Sequence, residues 1–247
     1  MRSFRSLVLA VVVALLAPLV GVVALTGSAS AAESTELTIT GKPKRGVYND
    51  EIGPASTPDV VQHKGRLTTT GGAGIANAEV QLQRKLVGGD WQFLDGQTDE
   101  NGRYEFVTGI EGNAVYQVVF AGNAVYAASQ SGQVKVKAMR DFNAELGDKN
   151  KRGVVLKGNI NPGWDEKPVQ WQRKKCKTCK WSTIDSERSG KNGAWSFRGA
   201  YPPVNKKWFY RARLGKTKEF VESFSAVLIT TTTPARGPAA RAVRLGG

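Results

Sequence analysis

The two cysteines of the chain, Cys176 and Cys179, enclose only Lys177 and Thr178, a spacing that serves thiol exchange, metal binding or a short structural bridge. Redox pairs of this spacing usually open a helix, whose N-terminal field lowers a thiol pKa, whereas here the flanking residues read as strands. A zinc centre needs two further ligands, and the single histidine, His63, lies in a different part of the chain. A disulfide closing the end of a hairpin is therefore the expectation, with redox and metal chemistry as the alternatives. Opposed residues of an antiparallel pair stand about 5.5 Å apart at Cα, within the span of an S–S bond.

Catalytic chemistry finds little to work with. His63 has no partner pattern that would make it a base and reads as a surface or loop imidazole. No serine stands in a G-x-S-x-G elbow. Asp99 and Glu100 border a turn and could touch calcium, but a calcium loop gathers about six or more oxygens from a dense acidic run, so turn solvation explains them better. No metal site and no cofactor is expected. Trp164, in Asn161-Pro162-Gly163-Trp164-Asp165, falls in a loop and is the candidate for an exposed ring on which a ligand stacks.

Charge separates the chain into unlike halves. From Glu33 to Met139 there are 10 Lys plus Arg against 12 Asp plus Glu, a net of −2, and from Arg140 to Gly247 there are 23 against 9, a net of +14, so the second half carries the basic excess. Such a half is suited to a polyanion. Lys175, Lys177, Lys180, Arg211 and Arg213 are the candidate contacts, and Lys175, Lys177 and Lys180 at the hairpin end are best placed to act together. Arg173 and Lys174 should point to opposite faces, because strand side chains alternate. A solvated basic surface is the competing explanation.

The elements that position these residues come in two similar sets. Val80 to Lys85 (VQLQRK), Trp91 and Asp99 to Phe106 (DENGRYEF) recur as Val169 to Lys174 (VQWQRK), Trp181 and Gly190 to Phe197 (GKNGAWSF). Repetition of this kind marks a structural unit used twice. Within the first copy Ala78, Val80 and Leu82 alternate with Glu79, Gln81 and Gln83, the period of a half-buried strand. Asn101-Gly102 and Asn192-Gly193 are hairpin signals. Trp171 takes the place of Leu82 and Trp195 that of Tyr104, so both should be interior. About seven short strands per copy, with turn signals every ~10 residues, predict an all-β chain of two tandem antiparallel sandwiches.

Ala76 to Arg84 (ANAEVQLQR) and Thr98 to Phe106 (TDENGRYEF) resemble the core strand and hairpin of bacterial immunoglobulin-like modules (Big or Cna-B-like) of exported and surface proteins. The second copy departs at Arg188-Ser189-Gly190, where the Thr-Asp pair is missing. The resemblance spans most of residues 60 to 232 and implies an immunoglobulin-like sandwich; such sandwiches host many roles.

The expected organisation is a signal peptide over 1–31, a first sandwich over 33–138, a linker over 139–152, a second, basic sandwich over 153–231 and a disordered tail over 232–247. Arg2 and Arg5, the apolar run Leu7 to Leu25 and the A-x-A site at Ala29 to Ala31 carry the export reading; a retained anchor is the alternative, since the run approaches the ~20 residues that span a bilayer. The function expected is non-enzymatic: binding or architecture at the cell envelope, secreted or on the outside of the cell. Its partners would be an envelope polymer or surface protein, with anionic polysaccharide or teichoic acid held by the second module. No specific nucleic acid is expected, and membrane only if the N-terminal segment is uncleaved. The alternative is a polysaccharide-acting enzyme or carbohydrate-binding accessory protein, which would show two carboxylates across a cleft.

Overall fold

The computed structural model describes residues 31–48, 60–150, 153–234 and 237–243. The expected signal segment, apart from Ala31, and residues 49–59 of a proline-bearing loop lie outside the described residues. What is described is strand and turn, with one short 3-10 turn at Lys191–Gly193. No helix among the described residues is long and apolar enough to cross a membrane.

The first module contains β1 (Thr35–Lys42), β2 (Arg45–Val47), β3 (Val60–Thr69), β4 (Glu79–Leu86), β5 (Trp91–Gln97), β6 (Arg103–Gly109), β7 (Ala114–Phe120), β8 (Ser129–Gln130) and β9 (Val134–Met139). One sheet has the order β1-β3-β6 and the other β2-β9-β7-β4-β5, with β8 beside β7. Among the described strands, β2 and β9 alone pair in parallel. This is an immunoglobulin-like arrangement, with its Greek-key crossing of strands between two facing sheets. The period-two pattern explains it: Val80 and Leu82 of β4, Tyr116 and Val118 of β7, and Tyr104 and Phe106 of β6 all turn inward to one core. Each such side chain contributes about 1.5–3 kcal/mol by leaving water. Gly96 of β5 lets Phe106 approach closely, because a Cβ there would stand 2.6 Å from the ring.

The second module repeats the plan with β10 (Asp141–Asn150), β11 (Gly153–Asn161), β12 (Pro168–Lys174), β13 (Ser182–Arg188), β14 (Trp195–Gly199), β15 (Lys207–Leu214), β16 (Ser223–Phe224), β17 (Val227–Thr233) and β18 (Gly237–Val243). Its sheets run β10-β11-β14 and β13-β12-β15-β17-β18, with β16 beside β15. Trp171 lies between Phe197 and Tyr210, stacked at 5.1 and 5.3 Å between centroids, and Trp195 packs edge-on to Phe142. Both tryptophans are interior, as the repeat implied. Asn192 and Gly193 both adopt positive φ, 56° and 67°, the turn that the Asn-Gly pair favours.

Two expected boundaries are corrected. The stretch 139–152 is not a linker: Asp141–Asn150 pairs along β11 and opens the second sandwich, leaving Arg140 alone between β9 and β10. Its charges misled because Asp141, Asn143 and Glu145 alternate with Phe142, Ala144 and Leu146, and the second set packs in or against the core. Nor is the tail after 232 without structure. Gly237–Val243 pairs antiparallel with β17 and covers the sheet edge that β2 covers in the first module. Backbone groups on an open edge seek partners, and a run of small residues can supply them without a core-forming side chain.

Candidate functional site

The β12–β13 hairpin carries the candidate cations. Its ladder ends at the pair Arg173 and Ser182, and the loop beyond is closed by the disulfide Cys176–Cys179, with Cα atoms 5.1 Å apart. Lys174 Nζ donates to the Lys177 carbonyl at 2.8 Å, and the Cys179 amide donates to the Cys176 carbonyl. Within this pinned loop Lys175, Lys177 and Lys180 are all exposed. None of the three forms an ion pair among the described residues.

Behind the loop, the outer face of the sheet is lined by rings and cations. Arg211 of β15 lies over Trp181 and Phe224, at 4.3 and 3.9 Å from their centroids, and its Nε donates to Gln172 Oε1. Lys174 sits over Trp181 and Phe209. Arg173 turns to the other side, over Trp208, in keeping with strand alternation. Burial lowers the Arg211 pKa to about 10, with Arg213 adding to the effect and Glu222 opposing it; the group stays cationic at neutral pH. Arg213 is different: its guanidinium is paired with Glu222 and bonded to Gln170. Among the described residues this leaves Lys175, Lys177 and Lys180 without ion pairs in the loop, Arg211 stacked on the rings of the sheet face, and Arg213 neutralised.

Trp164 does not offer the exposed ring expected of it. It is 6% exposed, donates from Nε1 to the Pro168 carbonyl, and has Arg140 over its ring at 4.7 Å. The loop folds back because Ser189 Oγ also bonds the Trp164 carbonyl, which draws the indole into the base of the second module. His63 is likewise no surface imidazole: it is 0% exposed, inward on β3, tilted over Tyr116 at 4.1 Å, with Nε2 bonded to Thr108 Oγ1 at 3.2 Å. Burial, with the Arg84 charge, pushes its pKa down to about 4. Asp99 serves its turn, accepting the amides of Asn101 and Arg103, and these bonds hold its carboxyl below the usual range.

Glu145 and Glu187 line one shallow concavity with Lys157, Arg188 and Trp195. Both are exposed, and Glu145 is paired with Lys157 at 3.4 Å. An open surface does not exclude water from two carboxylates as a glycosidase cleft does.

The residues that sequence reasoning missed lie at the module junction. Phe220, from the 215–222 loop of the second module, belongs to the core of the first and faces Tyr48. Arg140 is held between Trp164 and Phe220 and donates to the Pro162 carbonyl. The Asn113 amide donates to the Glu219 carbonyl, its Nδ2 to that of Lys218, and the Val221 amide to that of Ala138. A signal was present: in the repeat, Phe220 occupies the position of Tyr126, which packs on the first core near Glu33.

No known family model matches the chain, and no curated protein matches it. Among solved structures, the chain is similar to a tetra-tandem repeat from the extending region of a large adhesion protein, at 15% identity and TM-score 0.32, over 85% of this chain and 50% of that one. It is also similar to the C-terminal 282-residue fragment of intimin in complex with the intimin-binding domain of its translocated receptor, at 13% identity and TM-score 0.33, over 81% of this chain and 64% of that one. Trypsin-activated alpha-2-macroglobulin from Escherichia coli matches at 12% identity and TM-score 0.30, over 85% of this chain and 16% of that one. The chain thus spans half the length of the first and under two thirds of the second, and these matches identify no family.

Proposed function

We propose that the chain is a non-enzymatic binding and architectural protein of the cell exterior whose second module holds an anionic envelope polymer through the disulfide-pinned hairpin loop. The observation that carries this is the set of Lys175, Lys177 and Lys180, exposed and without ion pairs on a loop tied at both ends. A fixed loop loses little conformational freedom on binding, so its cations act at low entropic cost. Arg211, over the rings of Trp181 and Phe224, extends the positive potential onto the sheet face; Arg213 does not, since Glu222 balances it.

The test uses the full chain on a heparin column and in solution with teichoic acid. Elution should require salt well above physiological strength and should shift downward for the Lys175→Glu, Lys177→Glu, Lys180→Glu triple variant, because attraction between exposed charges falls with screening. A second triple variant, Lys191→Glu, Lys206→Glu, Lys207→Glu, has the same net charge and alters exposed lysines away from the loop. Equal elution of the two variants would mean that only net charge matters and would refute the site.

A further inference from the structure

The geometry points to a second binding face, on the first module, that takes an uncharged polysaccharide chain. This face is the outer surface of the sheet β2-β9-β7-β4-β5. In the register of β4 with β5, Lys85 stands opposite Trp91, Gln83 opposite Phe93 and Gln81 opposite Asp95, and these six side chains share the outer side because their neighbours Val80 and Leu82 turn into the core. Phe93 is 60% exposed. Trp91, two residues away on the same strand and half-buried, has Lys85 at its ring.

Beside the two rings runs an unbroken row of side-chain amides. Gln133 donates to Gln117 at 3.0 Å, Gln117 to Gln83 at 2.8 Å, Gln83 to Gln81 at 3.2 Å, and Gln81 to the Asp95 carboxylate at 2.8 Å. The row crosses the sheet from the approach to β9 as far as β5 and fixes which end of each amide is oxygen. A primary amide has two N–H donors and two acceptor positions. Gln117, 7% exposed, ties the row together at its centre, while the more accessible Gln81, Gln83 and Gln133 keep donors and acceptors that the row does not use, so the face offers preset groups at no further ordering cost.

Charge decides which ligand suits this face. On the ring-bearing strands β4 and β5, Lys85 is outnumbered by Glu79 and Asp95, whereas the cations Arg45, Lys135 and Lys137 lie on β2 and β9, beyond β7. A polyanion gains nothing at the rings from such a distribution. An uncharged pyranose chain does fit: its C–H faces pack on exposed rings while its hydroxyls exchange bonds with amides, the mixture of a few apolar platforms and convergent polar groups typical of ligand sites.

The repeat supplies an internal comparison. Gln81 and Gln83 persist in the second module as Gln170 and Gln172, but Arg211 replaces Gln117 and Thr183 replaces Phe93. There the retained ring, Trp181, is covered by Arg211 and Lys174. The same scaffold is thus dressed with amides and open rings in one copy and with cations in the other. The inference does not depend on the polyanion reading of the second module.

The experiment is calorimetric titration of the full chain with cellohexaose and with chitohexaose in about 0.5 M NaCl, where exposed charges are screened beyond about 4 Å. At least one hexaose should bind, with a preference for chitohexaose if the amides meet acetamido groups and for cellohexaose if hydroxyls suffice. Phe93→Ala should weaken binding at least tenfold, and Gln117→Leu, which cuts the row at its centre, should do likewise. The circular dichroism spectrum and melting temperature of Phe93→Ala should equal those of the wild type, showing that the variant is folded, since Phe93 is exposed. Absence of binding to both hexaoses, or a Phe93→Ala affinity within twofold of wild type, would overturn the assignment.

Discussion

Phe220 couples the two modules, and its removal should separate their melting. The ring is 4% exposed although it belongs by sequence to the second module, and it packs with Tyr48 at 6.2 Å and under the Arg140 guanidinium at 4.2 Å. Truncating a buried phenylalanine to alanine costs about 3–5 kcal/mol through lost burial and the cavity left behind, and the cation–π contact adds about 1 kcal/mol. Against this, the hydrogen bonds that cross the junction, from Asn113 to Glu219 and Lys218, from Arg45 to the Glu222 carbonyl and from Val221 to Ala138, hold about 1 kcal/mol each. The ring is therefore the largest single contribution to the coupling. In calorimetry the wild type should melt in one transition, whereas Phe220→Ala should show two, the lower displaced by about 10 °C on the size scaling for ~200 residues. Trypsin should also cut the variant early at Arg140, which leaves its place between Trp164 and Phe220. A single transition within about 2 °C of wild type would refute the account of the junction.

His63 gives the first module an acid-sensitive stability. Its pKa is about 4 in the fold against 6.5 when unfolded, so between these values the unfolded chain takes up a proton that the folded chain refuses. The stability is complete above pH 6.5 and falls by up to about 3 kcal/mol as the pH drops toward 4. Urea midpoints of the wild type across that range should show this slope, and His63→Gln should flatten it; an unchanged slope would exclude His63 as its source. For the hairpin, Cys176→Ser with Cys179→Ser should lower stability by about 2 kcal/mol in the chain-entropy model without preventing folding, since the ladder below the loop is complete at Arg173 and Ser182. A loss of folding on that substitution, seen by circular dichroism, would mean that the loop organises the sandwich and does not merely cap it.

The all-β class, the two copies and the interior places of Trp171 and Trp195 were legible in the sequence, because strand alternation and repetition are local properties written residue by residue. The disulfide was legible for the same reason: a hairpin register over a few positions brings Cys176 to Cys179. Exposure of the candidate residues was legible only where it follows from a turn, as for Lys175, Lys177 and Lys180. Pairings between distant residues belonged to the tertiary structure. It balanced Arg213 with Glu222, turned the loop tryptophan Trp164 inward against Arg140, and buried His63 beside Thr108 and Tyr116. It also drew Asp141–Asn150 and Gly237–Val243 into sheets, where the charge of one and the small side chains of the other had implied linker and tail. The physical reason is common to all of these. Whether a polar side chain is solvated or partnered, and whether a weakly patterned segment finds a sheet edge, depends on what the rest of the chain places within a few ångströms of it, and that is a property of the fold.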